Sequence, residues 1–580
     1  MISKIALLVV SIMVVLGVII GVSVMVKGGD DPSSKQLGHS AAMGGPMKMV
    51  TSICELTKYK GPCARSLEPA AKNPAATSKD YILAVLDAAA TDVNRSAAAA
   101  AQVAVDSRDK NSVVAVQDCR QFLNLAGYRL RKSIDAVNQA GNLSALDRDQ
   151  THELHTWTTA VYALHTYCVD QIEDPVPKTA VQIAIQNSTE LSHNAVNIIA
   201  EIPQILKLFG ENNNNNSDAV KKIATATSDN HPRSLTENSS SNNNNNYPAW
   251  LNSGDRKLLE TIPPKPDVVV AADGSGQFKT ITDAVAAYPP NHTGRFVIYV
   301  KAGDYNEQVT ITNNKPNILM YGDGIGKTIV TGRKSAAGAM KTGTMHTATF
   351  ANEATGFIAR GMTFRNKAGP QGLQAVAFRS SGDKTAVFDC SIEGFQSTLY
   401  YQLYRHFYRN CLIYGTVDFI FGKGEALIQD SEIIVRKPMP NQVNTVTADG
   451  KEILKGSNGL VLQNCRIVPE KALFPARFEI QTFLGRPSTA EATTVVMQSE
   501  LGDFIRPEGW KAWDDSPNHV TCHMLEYGNR GPGAGTRLRS RSFKNFKVLT
   551  ADEAGKFAPG EFLAGSRWIP QTGVPYRLGL

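Results

Sequence analysis

No two cysteines in this chain are spaced Cys-x-x-Cys, and its 11 histidines form no cluster. Structural zinc needs one or both of those patterns, so no metal site is expected. Recognisable nucleic-acid-binding motifs are missing as well, which sets nucleic acid aside as a partner. A single core is excluded by length, because 580 residues exceed what one hydrophobic core organises and point to two or three domains. Glycine is scarce between residues 48 and 205 and frequent afterwards, so the two halves differ in texture.

Charge divides the same way. From Glu260 to Leu580 there are 36 Lys+Arg against 29 Asp+Glu, a difference of +7, which is the whole formal charge of the chain. A mildly basic domain favours acidic partners through steering, and polyuronides are one such class; a basic surface without meaning is the alternative. At the N-terminus, Lys4 precedes an apolar run from Ile5 to Val26, closed by Lys27. That run is long enough to span a bilayer and lacks a small-x-small cleavage site. Residues 1–28 are therefore expected to be an uncleaved signal anchor, with a cleaved signal peptide as the alternative. Either one routes the chain into the secretory pathway, and Asn94, Asn142, Asn187, Asn238 and Asn291 each begin a glycosylation triplet. Eight cysteines fall four and four, at 54, 63, 119 and 168, then at 390, 411, 465 and 522. In an oxidising compartment these can be disulfides.

Residues 48–205 read as helical: alanine and leucine abound, and Tyr81–Ala90 and Cys119–Ala136 place apolar residues three and four apart. Two cysteine pairs in so short a segment suggest a stapled bundle. Residues 206–264 are a linker, with asparagine runs at 212–216 and 242–246 that cannot form a core. Arg256-Lys257-Leu258-Leu259, near its end, offers a dibasic site to a processing protease; a plain charged linker is the bland reading. From residue 265 to 580 the pattern is short β-prone runs separated by Gly, Asn and Asp, among them Phe357–Arg365, Phe407–Ile413, Ala426–Val435 and Gly459–Val468. Several share one shape, an aliphatic or aromatic residue, a polar one, a Cys or small polar one, then an aliphatic pair. The step from Cys390 to Cys411 is 21 residues and from Cys411 to Ser431 is 20, a spacing that suits a parallel β-solenoid better than a β-sandwich.

Within that solenoid, Gly415-Thr-Val-Asp418-Phe-Ile-Phe-Gly422 sets a carboxylate in an apolar, aromatic strand. Such an Asp needs a cationic or hydrogen-bonding partner, and Arg486 in Leu484-Gly-Arg-Pro487 is a candidate. A buried ion pair that only fixes the fold would look the same. These segments, with Val270-Ala-Ala-Asp-Gly-Ser-Gly276, Arg436-Lys-Pro-Met-Pro-Asn-Gln442 and Gly531-Pro-Gly-Ala-Gly-Thr536, resemble in order the signature stretches of plant pectin methylesterases. Upstream, Cys54-x8-Cys63 with Cys119 and Trp157…Cys168 resembles the inhibitor-like pro-domain of that family.

The resemblance implies a right-handed parallel β-helix behind an all-α, disulfide-stapled bundle, and a cofactor-free hydrolysis of galacturonate methyl esters in pectin (homogalacturonan). Asp418 matches the nucleophile, Gln396 the oxyanion donor, and Arg486 the arginine that orients the nucleophile and contacts substrate. Thr344 and Gln374 match positions that hold the sugar chain, and Trp510 and Trp513 fall in a segment that lends an aromatic to the groove or packs in the core. Cys54–Cys63, Cys119–Cys168 and Cys390–Cys411 are the expected disulfides. The inhibitor-like domain is expected to act in cis or in trans, and the protein to reach the cell wall, from a membrane-anchored precursor where the first helix is retained.

Three departures stand out. The family's Gly-Tyr-Gln-Asp-Thr-Leu-Tyr reads Gly394-Phe-Gln-Ser397-Thr-Leu-Tyr400 here, so Ser397 takes the place of the general acid. A serine hydroxyl is too weak for that role, and a positioned acid typically contributes about 10²–10⁴-fold in rate. Ser488 stands where the family has a tryptophan after Arg-Pro, and Ser431 replaces the usual disulfide partner of Cys465. The sequence therefore supports either a slow esterase or a non-catalytic binder of pectin or of inhibitor domains.

Overall fold

The computed structural model describes residues 45–103, 109–211, 265–338, 343–539 and 541–580. The expected N-terminal anchor and the dibasic processing site at 256–259 lie outside the described residues. Among the described residues no helix is long and apolar enough to cross a membrane.

Among the described residues seven helices come first: α1 (Gly45–Cys54), α2 (Lys60–Ala71), α3 (Ser78–Ala100), α4 (Lys110–Gln139), α5 (Arg148–Asp170), α6 (Pro175–Ala200) and α7 (Ile202–Leu208). Their starts are written locally. Thr77 and Asp80 form a capping box for α3, Asp147 and Gln150 form one for α5, and Asp174 caps α6 ahead of Pro175. The apolar stripes meet in a core that includes Leu86, Val93, Leu123, Leu130, Leu164 and Ile185, all essentially buried. Disulfides Cys54–Cys63 and Cys119–Cys168 close the bundle, the second tying α4 to α5.

The rest is a right-handed parallel β-helix of three sheets with 11, 7 and 8 strands. One coil runs Arg405–Arg409, Leu412–Gly415, Val417–Gly422; the next runs Glu425–Gln429, Glu432–Val435, Asn444–Asp449. Residues in register stack like on like, as Ile413 on Ile433 and Ile433 on Ile467, so the core is a column of aliphatic and aromatic layers. The sequence runs read above as single strands are pairs of strands. One residue with a left-handed backbone breaks each run: Gly361 (φ 62) in the first, then Asp389 (53), Asn410 (51), Asp430 (50), Asn464 (51) and Gln498 (54). Asn and Asp tolerate that conformation better than other side chains, so the repeated polar residue before each Cys or Ser is the corner of the coil.

That corner also explains why one expected disulfide is not formed. Cys390 and Cys411 are free, buried thiols in the structure. The residue after each corner points inward as a small donor, and the thiols do what serine does at the same place. Cys390 Sγ donates to Phe388 O (3.2 Å) and Cys411 Sγ to Arg409 O (3.3 Å), as Ser431 Oγ donates to Gln429 O (2.9 Å) and Ser499 Oγ to Met497 O (2.9 Å). Burial pushes the Cys411 and Cys465 thiols up to about 12, so both stay protonated. Ser431 is a conservative member of this ladder.

Candidate active site

Asp418 sits where the chain turns into the seven-stranded sheet. Its backbone is left-handed (φ 47), and register with the next coil slips between Val417 and Ile420, a bulge that lifts the carboxylate out of the ladder. Gly415 makes the turn possible, because a Cβ there would lie 2.1 Å from Phe419 Cβ. The carboxylate is held from two sides. Arg486 Nε donates to Oδ1 (2.8 Å) and Nη2 to Oδ2 (2.6 Å), and Thr445 Oγ1 donates to Oδ1 (2.7 Å). This is a bidentate, charge-assisted pair with a third donor.

Arg486 is fixed in turn. Burial works against its charge, but the hydrogen bonds and charge of Asp418, and then Asp514, raise it above its ordinary value. The guanidinium lies 4.1 Å from the centre of the Trp513 ring and 3.5 Å from Asp514. Trp513 is thus half-buried beside the site. Trp510 is not: it is 2% exposed, with its indole N–H on Glu526 (3.3 Å), and is a core residue. Its expected contact with substrate is corrected accordingly, because Gly509-Trp510 enters the structure by bridging to Gly485 from beneath.

Gln396 and Ser397 occupy the neighbouring rung, joined by the bonds Thr416 N to Phe395 O (2.9 Å) and Ser397 N to Val417 O (3.1 Å). The Gln396 side-chain Oε1 is buried without a hydrogen-bond partner among the described residues, an acceptor that calls for a donor. Ser397 is 5% exposed and left-handed (φ 60). Gln374 lies one rung further, through Ala375 N to Gln396 O (3.1 Å). Thr344 opens a short 3-10 turn, Thr344–Thr347, farther along the same face. The fold therefore brings Gln374, then Gln396 and Ser397, then Asp418 onto successive coils, with Arg486 one coil beyond that of Thr445, and among these side chains it couples Asp418 and Arg486 directly. Thr445 escaped the sequence reading, since nothing marks it beyond strand alternation in Asn444-Thr-Val-Thr-Ala.

Residues 49–580 form one contact unit, and within it α4 and α5 pack against the outward face of the same sheet. Tyr167 meets Tyr400 edge-on at 6.2 Å, and Tyr400 stacks on Phe421 at 4.3 Å. Tyr167 OH donates to Gln402 O (3.1 Å) and Arg129 Nε to Tyr404 OH (2.9 Å). Lys423 Nζ donates to Thr166 Oγ1 (2.9 Å), Asp170 (2.9 Å) and Glu452 (2.7 Å); burial works against its charge, but Glu452 and Asp170 raise it above its ordinary value. Glu425 takes His152 (2.9 Å) and Thr156 (2.7 Å), and Asp118 takes His346 (2.7 Å). Met345 and Val376 join the helical core. Met345 adjoins Thr344, Val376 lies two residues past Gln374, Tyr400 three past Ser397 and Phe421 three past Asp418. The bundle thus rests on the strands that carry the site.

Comparison with known proteins gives the same partition. A family profile described as Pectinesterase matches residues 267–566, and one described as Plant invertase/pectin methylesterase inhibitor matches residues 48–198. The chain is 37% identical to Pectinesterase 4 and 38% identical to Pectinesterase 5, both of Arabidopsis thaliana, each over 100% of both chains. Among solved structures, pectin methylesterase from carrot is similar at 43% identity and a TM-score of 0.54, covering 55% of this chain and 100% of that one.

Proposed function

The chain belongs to the plant pectinesterases with an inhibitor-like N-terminal domain, and from that premise we propose that it hydrolyses galacturonate methyl esters in pectin, slowly, with Asp418 as nucleophile and no carboxylic acid beside it. The observation that carries this reading is the Asp418 carboxylate fixed by Arg486 and Thr445, with Gln396 on the adjoining rung.

An Asp418 oxygen attacks the ester carbonyl carbon, and the carbonyl oxygen takes up the negative charge. The Gln396 amide N–H donates to that oxyanion, a preorganised contact of a kind worth a few kcal/mol, on the order of 3. Arg486 holds the Asp418 carboxylate in position through two hydrogen bonds. Collapse breaks the bond to the methoxy oxygen, which leaves as methanol once it takes a proton. The family's acid would give that proton; Ser397 cannot at wall pH, so water must. A second water then cleaves the anhydride, releasing the galacturonate carboxylate and restoring Asp418. Thr344, Gln374 and Trp513 line the approach of the sugar chain.

The bundle's seat beside these residues supports restraint in cis: with Met345, Val376, Tyr400 and Phe421 engaged by α4 and α5, a polysaccharide has no free path along that face. Cleavage near Leu259 would leave the bundle held only by its interface. A second reading, a pectin-binding protein without turnover, is favoured by Ser397 and by Ser488, whose hydroxyl is turned onto Asp449 O (2.8 Å) and offers no ring to a sugar.

Methanol release from highly methylated pectin decides between them, measured on the full chain and on residues 260–580 separated from the bundle. Slow release by the separated part, abolished in Asp418→Ala, supports the esterase. A folded separated part that releases nothing above blank sinks it.

A further inference from the structure

The outward face of the 11-stranded sheet is not covered evenly. Over its later coils it is roofed by the C-terminal segment, with Leu549, Phe562, Trp568 and Val574 packed on Leu427, Val461 and Val495. At its first coils the face ends in an open groove of about 560 Å³. Val269, Tyr299 and Tyr321 follow one another in register there, and the two tyrosine rings stack at 4.9 Å with planes 14° apart. Beside them, Lys301 Nζ donates to Ser275 Oγ (3.0 Å) and has no carboxylate within ion-pair distance among the described residues. Gln277 accepts Val269 N–H on its carbonyl (2.5 Å), so its amide N–H groups remain to donate. The nearby acids are occupied: Asp323 by Tyr299 O–H (2.7 Å) and Ala302 N–H (2.5 Å), Asp273 by Ser275 N–H (2.9 Å).

An aromatic ladder, a lysine with no carboxylate within ion-pair distance among the described residues and an amide donor in one groove suit an acidic sugar. The C–H face of a pyranose packs on a tyrosine ring, its carboxylate meets the ammonium, and its hydroxyls meet the amide and Ser275. A neutral glycan would have no use for Lys301. All the excess positive charge of the chain lies from Glu260 onward, which raises the local concentration of a polyanion. The contacts with the bundle described above involve residues from 343 onward, away from this groove.

We propose that the Tyr299–Tyr321–Lys301 groove is a second binding site, for the free carboxylates of a polyuronate chain, open while the bundle covers the strands beside Asp418. The choice of polyuronate rests on the pectin reading above; the groove itself does not involve the esterase residues. The full chain can then be held on de-esterified polymer before any turnover.

The test is retardation of the full chain in gels containing fully de-esterified polygalacturonate, with neutral galactan as control. The parent and Asp418→Ala should be retarded equally by the polyuronate and not by galactan. Lys301→Ala and Tyr299→Ala should each weaken binding by about 3- to 10-fold, the scale of a single exposed contact of about 1 kcal/mol. Lys301→Arg should bind as the parent does, and methanol release should be unchanged in all Lys301 variants. If Tyr299→Ala fails to fold, the Lys301 pair decides alone. An unretarded parent, equal retardation by galactan, or Lys301→Ala binding like the parent would each overturn the proposal. A parent that releases no methanol but needs Lys301 for retardation would end the esterase reading and leave this site standing.

Discussion

Replacing Ser397 with aspartate should raise the rate of methanol release. The backbone accepts the change, since φ at residue 397 is 60° and Asp is among the few side chains at ease there. Ser397 N is bonded to Val417 O, so the new carboxyl would sit one rung from Asp418, about 4.8 Å along the helix axis. Two carboxylates that close do not ionise together. Arg486 and Thr445 stabilise the charge on Asp418, so the proton stays on residue 397, where the leaving methoxide needs it. A positioned acid contributes about 10²–10⁴-fold, equivalent to roughly 3–5 kcal/mol off the barrier. The assay is kcat for methanol release by residues 260–580 of parent and Ser397→Asp, across pH 5 to 9. The variant should be faster by that factor and should lose its advantage as pH rises and the new acid ionises. A folded Ser397→Asp protein with parent kcat, or a rate gain independent of pH, refutes the argument that a missing acid limits turnover.

Thr445→Val removes one of three donors to Asp418 and should lower kcat by about 10-fold with little change in KM, the worth of a hydrogen bond to a charged group at roughly 1.4 kcal/mol. Tyr167→Ala empties the ring from against Tyr400 and loses the bond to Gln402 O; methanol release by the uncut chain should rise toward that of the separated domain, and an unchanged uncut rate would argue against restraint in cis. His165 is buried between Val161 O and Ser188 Oγ, with Asp92 nearby, and burial pushes it down to about 4. The unfolded chain takes that proton below about pH 6.5 while the folded one does not until about 4, so stability present at neutral pH is lost as pH falls, by about 2 kcal/mol at pH 5; the Tm of the bundle should fall between pH 7 and 5, and fall less in His165→Gln.

Much of this architecture is legible in the sequence because a solenoid repeats its constraints. The polar-then-small corner recurs at Asp389-Cys390, Asn410-Cys411 and Asp430-Ser431, 21 and 20 residues apart, and again at Asn464-Cys465 after a longer step of 34. The internal break of most runs is less visible, since a left-handed Asp or Asn turns the chain without a glycine or proline to announce it; Phe357–Arg365, broken at Gly361, is the exception. The free state of Cys390 and Cys411 is hidden for a related reason. Spacing shows that two thiols stack on neighbouring rungs, but the stack is equally satisfied by local bonds to carbonyls, as Ser431 does with a hydroxyl.

The candidate site divides along the same line. Asp418 is conspicuous because a carboxylate in Val-Asp-Phe-Ile-Phe conflicts with its neighbours, and Arg486 because a cation at a Gly/Pro turn answers that conflict. Thr445 and Trp510 present no conflict, so composition says nothing about either. Thr445 is an alternating strand residue until the coil brings it under Asp418, and Trp510 resembles a groove aromatic until Glu526 takes its indole N–H. Ser397 satisfies every demand of the fold at its corner, namely small volume, a left-handed backbone and a bond to Val417 O. Folding therefore places no constraint on a proton donor there, and a serine at that corner is compatible with an intact β-helix and an Asp418 carboxylate held by Arg486.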